Sequence, residues 1–120
     1  MEELQGSGQA LAAARFVAVN SIHCEPEYVG RFEELFSSRA RAIDDMEGFL
    51  GVRVLKPTRE GEPYLVVSFW TDGSAFERWV GSEAFRRGHQ RAFADLEEAK
   101  ARGERPPMHS SFSTYTVLAD

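Results

Sequence analysis

The sequence predicts a ferredoxin-like α+β domain, with elements in the order βαββαβ and a four-stranded antiparallel sheet. Three observations predict it. The chain has 120 residues, the length of one domain. Apolar residues make up 42% and charged residues 28%, a globular composition rather than a disordered one. Segments rich in β-branched and aromatic residues alternate with segments of helical periodicity in that order. A chain this long buries roughly two-thirds of the surface it exposes when unfolded, enough for one core.

Residues 1–14 (MEELQGSGQALAAA) place Gly and Ser before an Ala-rich turn. They read as a flexible extension, with a short helix as the competing reading, and a single domain spans 15–120. Residues 15–24 (RFVAVNSIHC) favour a strand. Phe16, Ala18, Asn20 and Ile22 share one face of it, and Val17, Val19, Ser21 and His23 share the other. Pro26 suits the first turn of a helix. Tyr28, Phe32, Leu35, Phe36, Arg39, Ala40 and Ile43 recur at helical spacing, which predicts an amphipathic helix from 27 to about 45, ended by Gly48. Residues 49–56 (FLGVRVLK) and 64–71 (YLVVSFWT) flank a turn-forming linker and predict a hairpin. Asp72 and Ser74 offer N-caps. Phe76, Trp79, Val80, Ala84 and Phe85 then continue at helical spacing, with a break at Gly81-Ser82 and a close at Gly88-His89. Residues 90–101 are charged and helix-forming, 103–107 form a loop, and 111–118 (SFSTYTVL) form the last strand.

The segment 64–70 is apolar on both faces, with Tyr64, Val66 and Trp70 opposing Leu65, Val67 and Phe69. Strands buried on both sides need a layer on each. Two principal helices cover one face of the sheet, so the other face predicts a homodimer packed sheet to sheet.

Composition excludes several classes. The net charge of −5 gives no general nucleic-acid footprint. No apolar stretch approaches the ~20 residues that span a bilayer, so no membrane partner is expected. Cys24 is the sole cysteine, which excludes an internal disulfide and any CxxC motif. Glu2 and Glu3 stand where a signal peptide carries positive charge, so a cytoplasmic protein is expected. No HExxH, GxSxG, GxGxxG or P-loop pattern occurs. Three histidines and one cysteine are too few for a structural zinc site. The pairs Asp44/Asp45 and Glu33/Glu34 read as solvated helix surface.

Three residues are out of place for a plain scaffold. Asn20 lies mid-strand on an otherwise apolar face, where an unpaired carboxamide costs about 1–3 kcal/mol. It either bonds a nearby protein group or points into a pocket toward a ligand. Trp79 is either a core tryptophan or the wall of such a pocket. His89 follows ten residues after Trp79, near Arg86, Arg87 and Arg91. It is either a surface or capping residue or the sole protein ligand of a heme iron. The arginines are either a solvated basic surface or partners for heme propionates.

At these residues the chain resembles a family. V-x-V-N-S-I (17–22), then Pro26-Glu27-Tyr28, F-E-E-L-F-S-S-R-A (32–40), G-F-L-G (48–51), V-L-K-P (54–57) and Y-L-V-V-S-F-W (64–70) resemble the antibiotic biosynthesis monooxygenase (ABM) fold group. Within it, A-F-E-R-W-V-G-S-E-A-F-R-R-G-H (75–89) resembles the IsdG-like heme-degrading monooxygenases. The resemblance implies a dimeric α+β barrel with a heme cleft in each subunit between sheet and helices. It implies His89 as axial ligand to the heme iron, Asn20 as the residue that hydrogen-bonds the iron-bound dioxygen species, and Trp79 as the aromatic that packs on and distorts the porphyrin. Phe36 and Arg39 fall at positions near the heme in relatives. Heme is then both substrate and prosthetic group; dioxygen and an external electron donor, supplied by an unidentified reductase, drive meso-carbon hydroxylation, ring opening and iron release. A cleft walled by Phe16, Phe36, Trp79 and Phe85 suits a flat apolar macrocycle. Asp95, Glu97 and Glu98, in the inserted segment, are expected to alter its entrance. Two alternatives accompany this reading: a cofactor-independent quinol or anthrone monooxygenase on the same fold, and a non-catalytic heme-binding dimeric module.

Overall fold

The computed structural model describes residues 11–38 and 41–120. The elements are β1 (Phe16–Cys24), a 3-10 turn (Pro26–Tyr28), α1 (Val29–Ser37), a second 3-10 turn (Ala42–Asp45), β2 (Phe49–Leu55), β3 (Tyr64–Trp70), α2 (Gly73–Val80), α3 (Glu83–Ala101) and β4 (Met108–Thr116). The strands form one antiparallel sheet in the order β2-β3-β1-β4. This is the ferredoxin-like α+β arrangement that the sequence predicts. Of the extension expected over 1–14, residues 1–10 lie outside the described residues; residues 11–13 are helical and Ala14 is buried.

Alternation along the strands sends one set of side chains under the helices. On β1 these are Phe16, Ala18, Asn20 and Ile22; on β3 they are Tyr64, Val66, Ser68 and Trp70, and Tyr64, Ser68 and Trp70 are buried. The core divides into two clusters. Ala18, Trp70, Ala75, Phe76 and Trp79 form the first, at the α2 end of the sheet. Ile22, Tyr28, Phe32, Leu35 and Tyr64 form the second, under α1. Asn20 is the β1 residue between Ala18 of one cluster and Ile22 of the other.

The opposite face of the sheet carries Val17, Val19, Leu65, Val67 and Phe69, all half-buried in the single chain. A bulge between Phe49 and Gly51 brings Phe49 back onto the helix side, edge-on to Trp70 at 5.4 Å. Gly48 precedes it with φ +83°, and a Cβ there would stand 2.5 Å from the Ala75 Cβ.

Three predicted boundaries are corrected. The helix expected from 27 to about 45 ends at Ser37. The Ser37 and Ser38 hydroxyls both donate to the Glu34 carbonyl, which competes with helix continuation. Arg41 then adopts a left-handed φ of 57°, and the chain carries Ala42, Ile43 and Met46 to the first cluster. A straight helix would have taken them away from it. The helical stretch expected to close at Gly88-His89 instead runs unbroken to Ala101, because nothing at Gly88 interrupts the hydrogen-bond ladder. Val80, expected on the apolar face, is exposed. The last strand begins at Met108 rather than Ser111, since it pairs with β1 as far as Cys24.

Candidate functional site

Ser82 fixes the geometry of the α2–α3 corner. Its Oγ donates to the Trp79 carbonyl at 2.7 Å and accepts from the Phe85 backbone N–H at 3.1 Å. One side chain thus closes α2 and caps α3. At the other end of α2, Asp72 Oδ1 accepts from the Ala75 N–H at 2.8 Å. Trp79 is buried beside the start of α3, edge-on to Phe85 at 5.3 Å and 69°.

One turn further along α3, the His89 ring stacks on Phe85 at 4.1 Å and 27°, and lies 6.1 Å from the Trp79 ring. Its Nδ1 is 2.7 Å from the Phe85 carbonyl oxygen. A carbonyl only accepts, so Nδ1 carries the proton and donates. In the neutral ring Nε2 then holds the free lone pair, which is the state a metal ligand needs. Among the described residues no group of three or more His, Cys, Asp or Glu could hold a metal ion. A metal bound at His89 must bring most of its own ligands.

The Asn20 Oδ1 is buried and has no hydrogen-bond partner. The register explains this: its cross-strand neighbours are Val66 and Phe112, and its neighbours along the same face are Ala18 and Ile22. None offers a side-chain donor. Rotation about χ2 exchanges the amide oxygen and NH2, so the group can present either an acceptor or a donor to a ligand. This answers the question left by the sequence: the Asn20 oxygen is not spent on a nearby protein group.

The other expected residues divide. Phe16 joins Trp79 and Phe85 around the first cluster. Phe36 lies in the second, 4.8 Å from Phe32, and lines a 170 Å³ cleft with Glu33, Val54, Lys56 and Tyr64. Arg39 lies outside the described residues. The basic cluster is largely committed elsewhere. Arg91 donates to the Leu35 and Ser38 carbonyls at 3.0 and 2.9 Å and to Ser38 Oγ at 3.1 Å, so it caps the C-terminus of α1. Arg86 pairs with Glu83. Asp95 accepts from the Tyr28 hydroxyl at 2.6 Å and Arg31 Nε at 3.0 Å, joining α3 to α1.

Two groups escaped the sequence reading. The Phe85 carbonyl, as a backbone atom, left no signal. Phe93 left one: Phe85, His89 and Phe93 recur every four residues along α3, and the Phe93 ring stands 5.6 Å from His89 and 6.5 Å from Phe85. His89 thus presents a lone imidazole nitrogen beside the aromatic rings of Phe85, Trp79 and Phe93, and Asn20 an unpartnered amide oxygen on the helix side of the sheet.

The antibiotic biosynthesis monooxygenase family matches residues 15–91. A mycobilin-producing heme oxygenase of Mycobacterium tuberculosis is 33% identical over 76 residues, covering 62% of this chain and 72% of the relative. A staphylobilin-producing heme oxygenase of Staphylococcus haemolyticus is 30% identical over 106 residues, covering 87% of this chain and 96% of the relative. Among solved structures, the heme-degrader MhuD from Mycobacterium tuberculosis, with two hemes bound in its active site, has a TM-score of 0.64 at 28% identity, covering 88% and 97% of the two chains.

Proposed function

This chain belongs to the antibiotic biosynthesis monooxygenase family, and from that premise we propose that it is a heme-degrading monooxygenase. The observation that carries the reading is the buried Asn20 Oδ1 without a partner, between apolar Ala18 and Ile22 on its strand, in a chain whose one half-buried histidine has its Nδ1 locked and its Nε2 free. A scaffold has no use for the first, and a capping histidine has no need of the second.

Heme, once bound, supplies the redox-active iron and the ring that is opened, with dioxygen and an external electron donor. The chain's own residues bind, orient and exclude water. His89 Nε2 would hold the iron. Trp79, buried and edge-on to Phe85, would press on the macrocycle from a rigid corner. Asn20 would present its amide to the polar end of the reacting group in an otherwise dry wall, where one hydrogen bond counts most. Phe36 would border the macrocycle from the α1 side. The reading includes a cytoplasmic homodimer, each copy covering the apolar outer face of the other's sheet.

Titration with hemin tests it. The wild-type chain is expected to shift the Soret band, and the band to decay when ascorbate is added in air. His89→Ala should lose tight binding while staying folded. Asn20→Ala should keep hemin affinity within several-fold and slow ring opening by about 10²–10³. A wild-type chain that leaves the hemin spectrum unchanged would overturn the proposal in favour of a cofactor-independent monooxygenase. A band that appears and then survives reductant would mark a binding module.

A further inference from the structure

We propose that His23 and His109 form a two-histidine site for a divalent transition-metal ion, on the outer face of the sheet, opposite the side that carries Asn20. The strand register carries this. His23 on β1 and His109 on β4 are direct cross-strand partners, and residues paired in an antiparallel ladder share a face of the sheet. Two residues further along, the Glu25 N–H donates to the Pro107 carbonyl at 2.9 Å. Hydrogen-bonded pairs recur at every second residue, so the histidines also occupy such a pair, with Cα atoms about 5.5 Å apart.

Both side chains are exposed, and among the described residues neither imidazole has a hydrogen-bond or ion-pair partner. Neither ring is committed to the fold. Cβ atoms of directly opposed residues lie within about 5.5 Å of each other, and two exposed rings can converge on one ion at about 2.0–2.1 Å from each nitrogen. The ladder holds the two backbones in place, so the second imidazole joins the ion at little further entropic cost. Imidazole suits Cu²⁺, Ni²⁺ and Zn²⁺, and water completes the coordination. Ser21 and Ser111, the next pair on the same face, have short side chains that leave room for it. β3 begins at Tyr64, opposite Ile22. The histidines therefore stand past the end of the apolar patch on which a partner copy is proposed to sit. β4 is the edge strand and is bonded to β1 alone. An ion held by both rings would tie the start of that edge to the end of β1.

Calorimetric titration of the heme-free full chain with Ni²⁺ tests the site. The wild type should take up one ion per chain. His23→Gln and His109→Gln should each weaken that binding by about 10²-fold, because either loss breaks the chelate. Ni²⁺ should raise the melting temperature of the wild type and leave both variants unmoved. Their metal-free melts should superimpose on the wild type, which separates a lost ligand from a lost fold. With Cu²⁺, pulsed EPR should detect two imidazoles in the wild type and one in either variant. His89→Ala should bind Ni²⁺ as the wild type does, since its ring belongs to the other side of the sheet. Wild-type Ni²⁺ affinity in His23→Gln or His109→Gln would overturn the proposal. Loss of the ion in His89→Ala would also overturn it, by assigning the metal to that residue.

Discussion

The buried Asn20 oxygen costs the heme-free fold about 1–3 kcal/mol, since nothing on its sheet face donates to it. Asn20→Leu keeps the side chain's shape and removes the unpaired oxygen. It should raise the melting temperature of the heme-free protein by roughly 3–8 °C while abolishing heme turnover, the trade expected where a site is held at the expense of stability. A lower melting temperature in calorimetry would count against Oδ1 being unpaired. Gly48 shows the opposite constraint. Its φ of +83° is a left-handed backbone, and an added Cβ would stand 2.5 Å from Ala75 Cβ and 2.8 Å from Thr71 Oγ1. Gly48→Ala should therefore destabilise by about 2–4 kcal/mol in urea melts, from the backbone and the clash together.

Between elements, α1 and α3 are joined by polar contacts at both ends of their crossing. Arg91 caps α1, and Asp95 accepts from Tyr28 and Arg31. Burial works to raise the Asp95 pKa, but the hydrogen bonds from Arg31 and Tyr28 outweigh it and hold the carboxyl below its ordinary value. A group whose folded pKa is depressed contributes stability above its unfolded value, near 3.8, and loses it as pH falls through the folded value. Tyr28→Phe should cost about 1–2 kcal/mol and bring the acid-induced loss to higher pH, read from thermal melts between about pH 2 and 7. Within α3, Gly88 carries no side chain in the middle of a helix. A Cβ there would meet Trp79 Cη2 at 3.5 Å and Ala42 Cβ at 3.7 Å, ordinary contacts. Gly88→Ala should stabilise the fold by about 0.5–1 kcal/mol.

For the whole molecule, the outer face of the sheet is what a single copy leaves unfinished. Val17, Val19, Leu65, Val67 and Phe69 are half-buried there, and Leu55 and Tyr115 are 45% and 56% exposed. Sedimentation should give a dimer at micromolar concentration, and Val67→Arg should shift it to monomer by placing an unpaired charge at the centre of the interface. A stable wild-type monomer would contradict the proposed assembly. The alkaline limit belongs to the second cluster. Hydrogen bonding to Glu33, then burial, push Tyr64 up to about 12, and burial, then Glu33, push Cys24 up to about 11. Both groups hold their protons longer folded than unfolded. Their stabilisation is complete at neutral pH and is lost as pH rises from the ordinary thiol and phenol values toward these raised ones.

Strand alternation and helical spacing are properties of neighbouring residues along one chain. They sufficed to order the elements, to set Asn20 on an apolar face of β1 and to place Trp79 and His89 ten residues apart. The same local signals misjudged α1, because Ile43 continues the helical period while its packing partners lie in the other cluster. Nor did they show what Arg91 and Asp95 meet, which is the α1–α3 crossing. Charged side chains take whichever partner tertiary packing brings within reach, and a sequence holds no record of that distance. The Nδ1 lock on His89 depends on the rotamer selected by stacking against Phe85, and the unpaired state of Asn20 depends on the cross-strand register with Val66 and Phe112. Composition and spacing along the chain thus supply Asn20, Trp79 and His89; that Asn20 Oδ1 and His89 Nε2 stay free of other partners follows from the packed fold, because partners are set by distances across it.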